Sequence, residues 1–355
     1  MQYLYSCDKE NDLKISEIEI IAKALELGYD KCGIIPVQSM LGFESKLDER
    51  INQFPESKEK YEPFRAFASP HFKYPWAKAI IVCTYWYGKY KIPENLNGTI
   101  GKYYLTDSRT NTSSAGYKTR AAFEDYLKEL DLRVVSDKLF GITSLRWAAY
   151  KSGIGIVRKN NFLYTEKGSW QYIEAFLIDR PLEYIVNSNL KPCPDNCSLC
   201  IENCPTSSLS SPYMTNRNTC ISCLTTFDGW DLVSEPLSYK MGSWFYGCDA
   251  CQDRCPYNQN KWIGTDAFPN LKELGDKFSL TSIVESSYSC LQNYLQPILW
   301  YIPIDKCWRF KTNALNIMLN DFKPEYLTSI QIACNDEKEE VRVMANWVLQ
   351  QLQQK

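Results

Sequence analysis

Apolar residues recur along the chain at two spacings. Ile18, Ile21, Ala22 and Leu25 follow one another at helical intervals, Ser16 and Glu19 make a capping-box pattern, and Gly28 stands where the helix should stop. A short strand is expected at 32–36. Residues 79–85 (AIIVCTY) form an unbroken apolar run of strand length, as in a strand covered on both faces. Helices are predicted at 117–130 and 145–152, the second stopped by Gly153, with strands at 132–135 and at 170–178 (WQYIEAFLI), the latter rich in aromatic and β-branched residues. This alternation predicts an α/β domain over 1–182. Residues 95–116 (NLNGTIGKYYLTDSRTNTSSAG) break it with a long polar connection, a length that suits a functional or a mobile loop.

From about residue 265 the spacing becomes helical throughout. Segments 313–320, 325–334 and 339–352 are amphipathic, the last carrying Val341, Ala345, Val348, Leu349 and Leu352 on one stripe. A helical, HEAT-like domain is expected over 265–355, either as a repeat or as a bundle that only covers the core.

Composition narrows the function classes. Lys and Arg number 40 against 42 Asp and Glu, so a net charge of -2 offers a polyanion no general attraction. The chain contains no run of apolar residues long enough for a membrane span, and its first residues contain no apolar signal core, so no membrane partner and a reducing, cytoplasmic setting are expected. Cysteine is the anomaly, with 15 residues against a single histidine, His71. That count excludes His-rich metal sites and most His-dependent triads.

Nine of the cysteines lie between Cys193 and Cys255. Cys193, Cys197 and Cys200 are closely spaced and Cys204-Pro205 follows, then Cys220, then Cys248, Cys251 and Cys255-Pro256. Three close cysteines can wrap one cubane while the Cys-Pro cysteine turns to the other cluster, as in bacterial ferredoxins. The crossed rule assigns Cys193, Cys197, Cys200 and Cys255 to one [4Fe-4S] cluster and Cys204, Cys220, Cys248 and Cys251 to a second. Structural zinc sites are the competing reading, against which the two Cys-Pro endings and the completed crossed count weigh. Cys223 is left over and reads as a small buried residue, and Cys7, Cys32, Cys83, Cys290, Cys307 and Cys334 as packing. The cluster region is expected to occupy 183–264. Two such clusters carry single electrons and do not themselves transform a substrate.

Further motifs bear on what the electrons feed. Cys220-Ile-Ser followed by Leu224-Thr225-Thr226, Tyr246-Gly-Cys-Asp-Ala-Cys-Gln252 and Cys255-Pro-Tyr-Asn258 resemble the epoxyqueuosine reductase family. Ser152-Gly-Ile-Gly155, Arg158-Lys159-Asn160 and Gly168-Ser169-Trp170 are similar to that family's core motif, and 336–349 to its C-terminal HEAT-type repeat. The resemblance implies a cytoplasmic oxidoreductase of queuosine biosynthesis that reduces an epoxide on tRNA. It implies two [4Fe-4S] clusters plus cobalamin, the clusters reducing cobalt, and an external electron donor of ferredoxin or flavodoxin type. Carried over, Gly153 and Gly155 would let the backbone approach the corrin, Arg158, Lys159 and Asn160 would lie nearby, and Gly168 and Ser169 would open a strand lining the pocket.

The chain also departs from the family. The acidic proton donor of an Asp-x-x-Pro segment has its nearest counterpart in Asp137, without the proline, and a tyrosine is the alternative donor. The family's Arg-x-Tyr and Asp-Tyr-His segment finds only Lys102-Tyr103-Tyr104, with no histidine after it. The first cluster loop has three residues between Cys193 and Cys197 where two are usual. From Tyr301 onward seven basic residues face seven acidic ones, a neutral balance that gives tRNA docking no support and suits a paralogue acting on a small electrophilic substrate. The reading from a different class is a non-catalytic two-cluster electron carrier or corrinoid-activating protein.

Overall fold

The structure is a computed structural model that describes residues 16–226 and 235–354; Cys7 lies outside the described residues. Strands β1 (Lys31–Pro36), β2 (Ala79–Trp86), β3 (Val134–Val135) and β6 (Gln171–Ile178) form one sheet in the order β1-β2-β6-β3. Every neighbouring pair is antiparallel, with Ile81 opposite Ile34 and Phe176. Two small hairpins stand apart, β4 (Ile156–Val157) with β5 (Leu163–Tyr164), and β7 (Leu209–Ser211) with β8 (Met214–Thr215).

Strand β2 is covered on both faces, as its apolar run requires. Because successive side chains alternate, Ile81, Cys83 and Tyr85 enter one core while Ile80 and Val82 enter another. The first core includes Ile20 and Ala24 of helix Glu17–Glu26 and Phe123 and Leu127 of helix Ala115–Glu129. The second is built on Ala148 and Ala149 of helix Leu145–Lys151. Ser16 occupies the N-cap with extended backbone but makes no capping bond through its side chain; Glu17 and Glu19 in the first turn supply the favourable charge instead.

Helices Trp308–Asn320, Tyr326–Ala333 and Glu339–Gln353 pack on one another near the C-terminus. Their Phe310, Ile330 and Ala345 belong to the same core cluster as Phe176 of the sheet. The helical layer therefore shares one interior with the α/β part and braces the face that carries the polar connection.

That connection is folded, and its middle, 105–108, is buried. It begins with a turn at Glu94–Leu96, includes a helical turn Lys102–Leu105, and enters the helix Ala115–Glu129, whose N-cap Ser114 accepts from the Tyr117 amide. Thr106, Asp107 and Ser108 are each 5% exposed or less. Its polar residues are there to pair inside the protein, which composition alone could not distinguish from solvation.

Candidate redox site beside two adjoining cavities

Folding brings the cysteines together as two sets. Cys193, Cys197, Cys200 and Cys255 surround one small space with Arg158 and Lys159. Cys204, Cys220, Cys248 and Cys251 reach the wall of a second, much larger cavity of about 430 Å³. These are the sets that the crossed spacing rule gave. Cys223 is not an inert filler: it lies next to Cys220 and lines the same large cavity.

Of the motif residues expected at a corrin, Asn160 and Ser169 line the two larger cavities and the others do not. Gly153, at φ +73°, has the Val186 carbonyl oxygen 1.9 Å from where a Cβ would stand, and Gly155 has the Tyr164 carbonyl at 2.6 Å. Neither lines a cavity, so the close approach these glycines permit is between backbone segments of the protein itself. Arg158 stacks on Tyr257, 3.3 Å from the ring centroid, and its Nη1 lies 3.8 Å from Cys193 Sγ. Lys159 Nζ donates to the carbonyls of Pro194, Asp195 and Cys197 at 2.8–2.9 Å, fastening the loop that has the extra residue.

Asn160 lines the large cavity and donates to the Cys251 carbonyl and the Tyr164 hydroxyl. Gly168, at φ +80°, leaves room for Asn258 Oδ1, which accepts from the Ser169 amide at 2.8 Å. Ser169 Oγ also bonds Gln252 and Asn258. Thus the Arg-Lys-Asn and Gly-Ser segments join the sheet to the cysteine segments, and of this group Asn160 and Ser169 reach the two larger cavities while Arg158 and Lys159 line the small space beside Cys193.

Asp137 lines the large cavity from an exposed turn. Its carboxylate accepts from the Leu139 and Phe140 amides at 2.9 and 3.1 Å, closing the turn on itself. Arg109, from the polar connection, holds the turn from the other side. Its Nη1 donates to the Leu139 carbonyl and to the Tyr301 hydroxyl, both at 2.8 Å, while Asp107 grips its Nε and Nη2 at 2.9 and 2.6 Å. Trp300 donates to Asp107 and meets Phe140 edge-on.

Tyr103, from the Lys102-Tyr103-Tyr104 segment, lines this cavity, as do Arg109 and Glu174, which were missed by sequence reasoning. Glu174 hydrogen-bonds Tyr29, and burial pushes its carboxyl up to about 7. The only signal for it was a carboxylate inside an otherwise apolar strand.

A second cavity of about 690 Å³ adjoins the first, sharing Arg50, Tyr61, Phe64, Tyr103, Arg146 and Asn161 with it. Its wall contains Gln171, whose buried Oε1 has no hydrogen-bond partner. An unpaired buried amide oxygen and a roomy aromatic lining suit a large organic ligand carrying amide donors, such as a corrinoid.

Residues 193–258 match the family model described as a 4Fe-4S double cluster binding domain. Epoxyqueuosine reductase of Staphylococcus aureus is 28% identical over 72% of this chain and 67% of its own length. That of Listeria monocytogenes is 26% identical over 94% of this chain and 88% of its own. The chain is similar in sequence to the epoxyqueuosine reductases. The fold agrees over nearly the whole length. An epoxyqueuosine reductase solved with a tRNA-Tyr epoxyqueuosine-modified stem loop superposes with a TM-score of 0.75 at 23% identity, covering 94% of this chain and 89% of that one. The Bacillus subtilis epoxyqueuosine reductase, solved with an aspartate-bearing catalytic loop swung out of its active site, gives the same TM-score over 94% and 90%. The chain thus has the α/β fold of these enzymes together with a domain for two [4Fe-4S] clusters, and among the described residues no helix is long and apolar enough to cross a membrane.

Proposed function

We propose that this chain is an iron-sulfur oxidoreductase that reduces the epoxide of epoxyqueuosine in tRNA, the last chemistry of queuosine formation, with electrons from an external ferredoxin or flavodoxin. The observation that carries this reading is the large cavity, whose wall includes Cys204, Cys220, Cys248 and Cys251, with Cys223 beside them, and also Asp137. Electrons held by thiolate-bound clusters and a proton held by a carboxyl then meet in one chamber.

Cys193, Cys197, Cys200 and Cys255 would hold the outer cluster, and Cys204, Cys220, Cys248 and Cys251 the cluster facing the chamber. A corrinoid fits the adjoining cavities, with Asn160, Ser169 and Gln171 as its polar partners; when bound it supplies strongly nucleophilic reduced cobalt. The chain's own residues do the rest. Tyr103, Tyr172 and Phe162 exclude water, the cysteine segments deliver electrons, and Asp137 hands a proton to the substrate oxygen. The Arg109 clasp keeps the Asp137 turn against the chamber.

Anaerobic purification from cells supplied with corrinoid tests the cofactors. About eight irons per chain and a corrinoid absorption band are expected; iron without corrinoid would leave an electron carrier. Loss of the gene should raise epoxyqueuosine in cellular tRNA, and unchanged tRNA would move the substrate to a small electrophile.

A further inference from the structure

Two guanidinium groups, those of Arg50 and Arg146, stand in the wall that the cavities share. Arg50 Nη2 donates to Asn161 Oδ1 at 3.0 Å, and Arg146 Nη1 donates to the Asn161 carbonyl, so both are anchored on one neutral residue. Among the described residues neither forms a salt bridge. A guanidinium carries five N–H donors, and each group commits one of them to Asn161.

Arg217, which has partners of its own, also lines both cavities and lies over Phe64 at 5.0 Å and Tyr61 at 5.7 Å. Burial first, and then Arg50, push Arg146 down to about 10 against an opposing effect of Tyr61; burial also lowers Arg50, with Tyr61 and Glu49 opposing it. Glu49 is the one carboxylate in the second cavity's lining, and it is exposed and paired with Lys46 at 2.7 Å. Like charges crowded around an aromatic chamber are costly unless a ligand supplies the opposite charge.

We propose that Arg50 and Arg146 form a seat for a phosphodiester in the wall between the two cavities. A phosphodiester shares its single negative charge between two non-bridging oxygens, one for each guanidinium, which is a geometry that two arginines from different helices can satisfy together. Arg50 comes from helix Phe43–Gln53 and Arg146 from helix Leu145–Lys151. The inference rests on the proposed function, whose two ligands both carry this group, the corrinoid in its nucleotide loop and the RNA in its backbone.

The test uses the full, cluster-loaded chain under anaerobic conditions. Cobalamin, cobinamide (a corrinoid without the phosphodiester-linked nucleotide) and an anticodon stem-loop RNA are titrated into wild type, Arg146→Gln and the double variant Arg50→Met/Arg146→Met. Iron content and melting midpoint serve as controls for folding, and the single variant keeps the test alive if the double one fails them. The expected result is a loss of about 10- to 100-fold in affinity for a phosphodiester ligand with cobinamide binding unchanged. Loss confined to cobalamin assigns the seat to the cofactor. Loss confined to RNA, with a shallower salt dependence, assigns it to the nucleic acid. Equal loss for cobinamide, or no loss at all, overturns the seat while leaving the proposed function standing. A wild type that binds none of the three overturns both.

Discussion

Two carboxyls share the large cavity, and their surroundings give them different work. Asp137 lies in an exposed turn and Glu174 in the middle of β6. If Asp137 delivers the proton, Asp137→Asn should cut turnover by about 100-fold or more while leaving substrate affinity and iron content intact. Single-turnover assays with pre-reduced enzyme measure this, and a fall of less than threefold would return the role to Glu174 or a tyrosine. Glu174 makes a separate prediction, through stability. Its carboxyl ordinarily titrates near 4.5 and burial raises it to about 7, so the folded state holds a proton that the unfolded state has lost. Its stabilising contribution is full below about 4.5 and disappears as pH rises through about 7. Glu174→Gln should therefore flatten the pH dependence of the urea midpoint between pH 5 and 8, removing a change on the order of 1–3 kcal/mol. An unaltered slope would mean that Tyr29 and Arg120 hold the group ionised.

At the scale of elements, the loop with the extra residue is rescued from outside itself. Lys159 gathers three carbonyls across Pro194–Cys197, adding to the one bond within the loop, from the Cys197 amide to the Pro194 carbonyl at 3.1 Å. Lys159→Met should release that loop and lose one cluster, reducing about eight irons per chain to about four, while the Cys204, Cys220, Cys248 and Cys251 set keeps its own. Colorimetric iron analysis with low-temperature EPR of the dithionite-reduced protein reads the count; full iron content would show that the thiolates alone fix the loop.

The same element shows why reading the chain succeeded for some features and failed for others. Cysteine spacing is local chemistry, so the two thiol sets could be sorted before any fold was known. Periodicity likewise located β2 and β6, because burial on both faces leaves an apolar run. The job of Arg158-Lys159-Asn160 was not local. Its partners lie some 35 to 91 residues away, and only folding shows that the segment fastens cysteine loops. Arg109 was hidden for a similar reason, since Asp107 two residues before it and Tyr301 far along the chain together turn a polar stretch into a buried clasp.

The whole molecule has a net charge of -2, and folding removes further cations from RNA's reach. Of the seven basic residues from Tyr301 onward, Lys311 is buried against Asp336 at 2.7 Å and Arg309 is buried while donating to the Leu224 carbonyl. The helical layer that shares its core with the sheet thus spends part of its charge on internal structure. A stem-loop that binds this chain must gain affinity from a few phosphates held at the chamber and from the base inserted there, without a broad basic face. Each phosphate neutralised on a single strand changes log K by about -0.7 per log unit of salt. For an anticodon stem-loop the expected slope is shallow, about -1.5 to -3, equivalent to about two to four contacts. Fluorescence anisotropy at 50 to 300 mM KCl would measure it. A slope near -6 would show that RNA is held by a broad basic face and not by a few phosphates at the chamber.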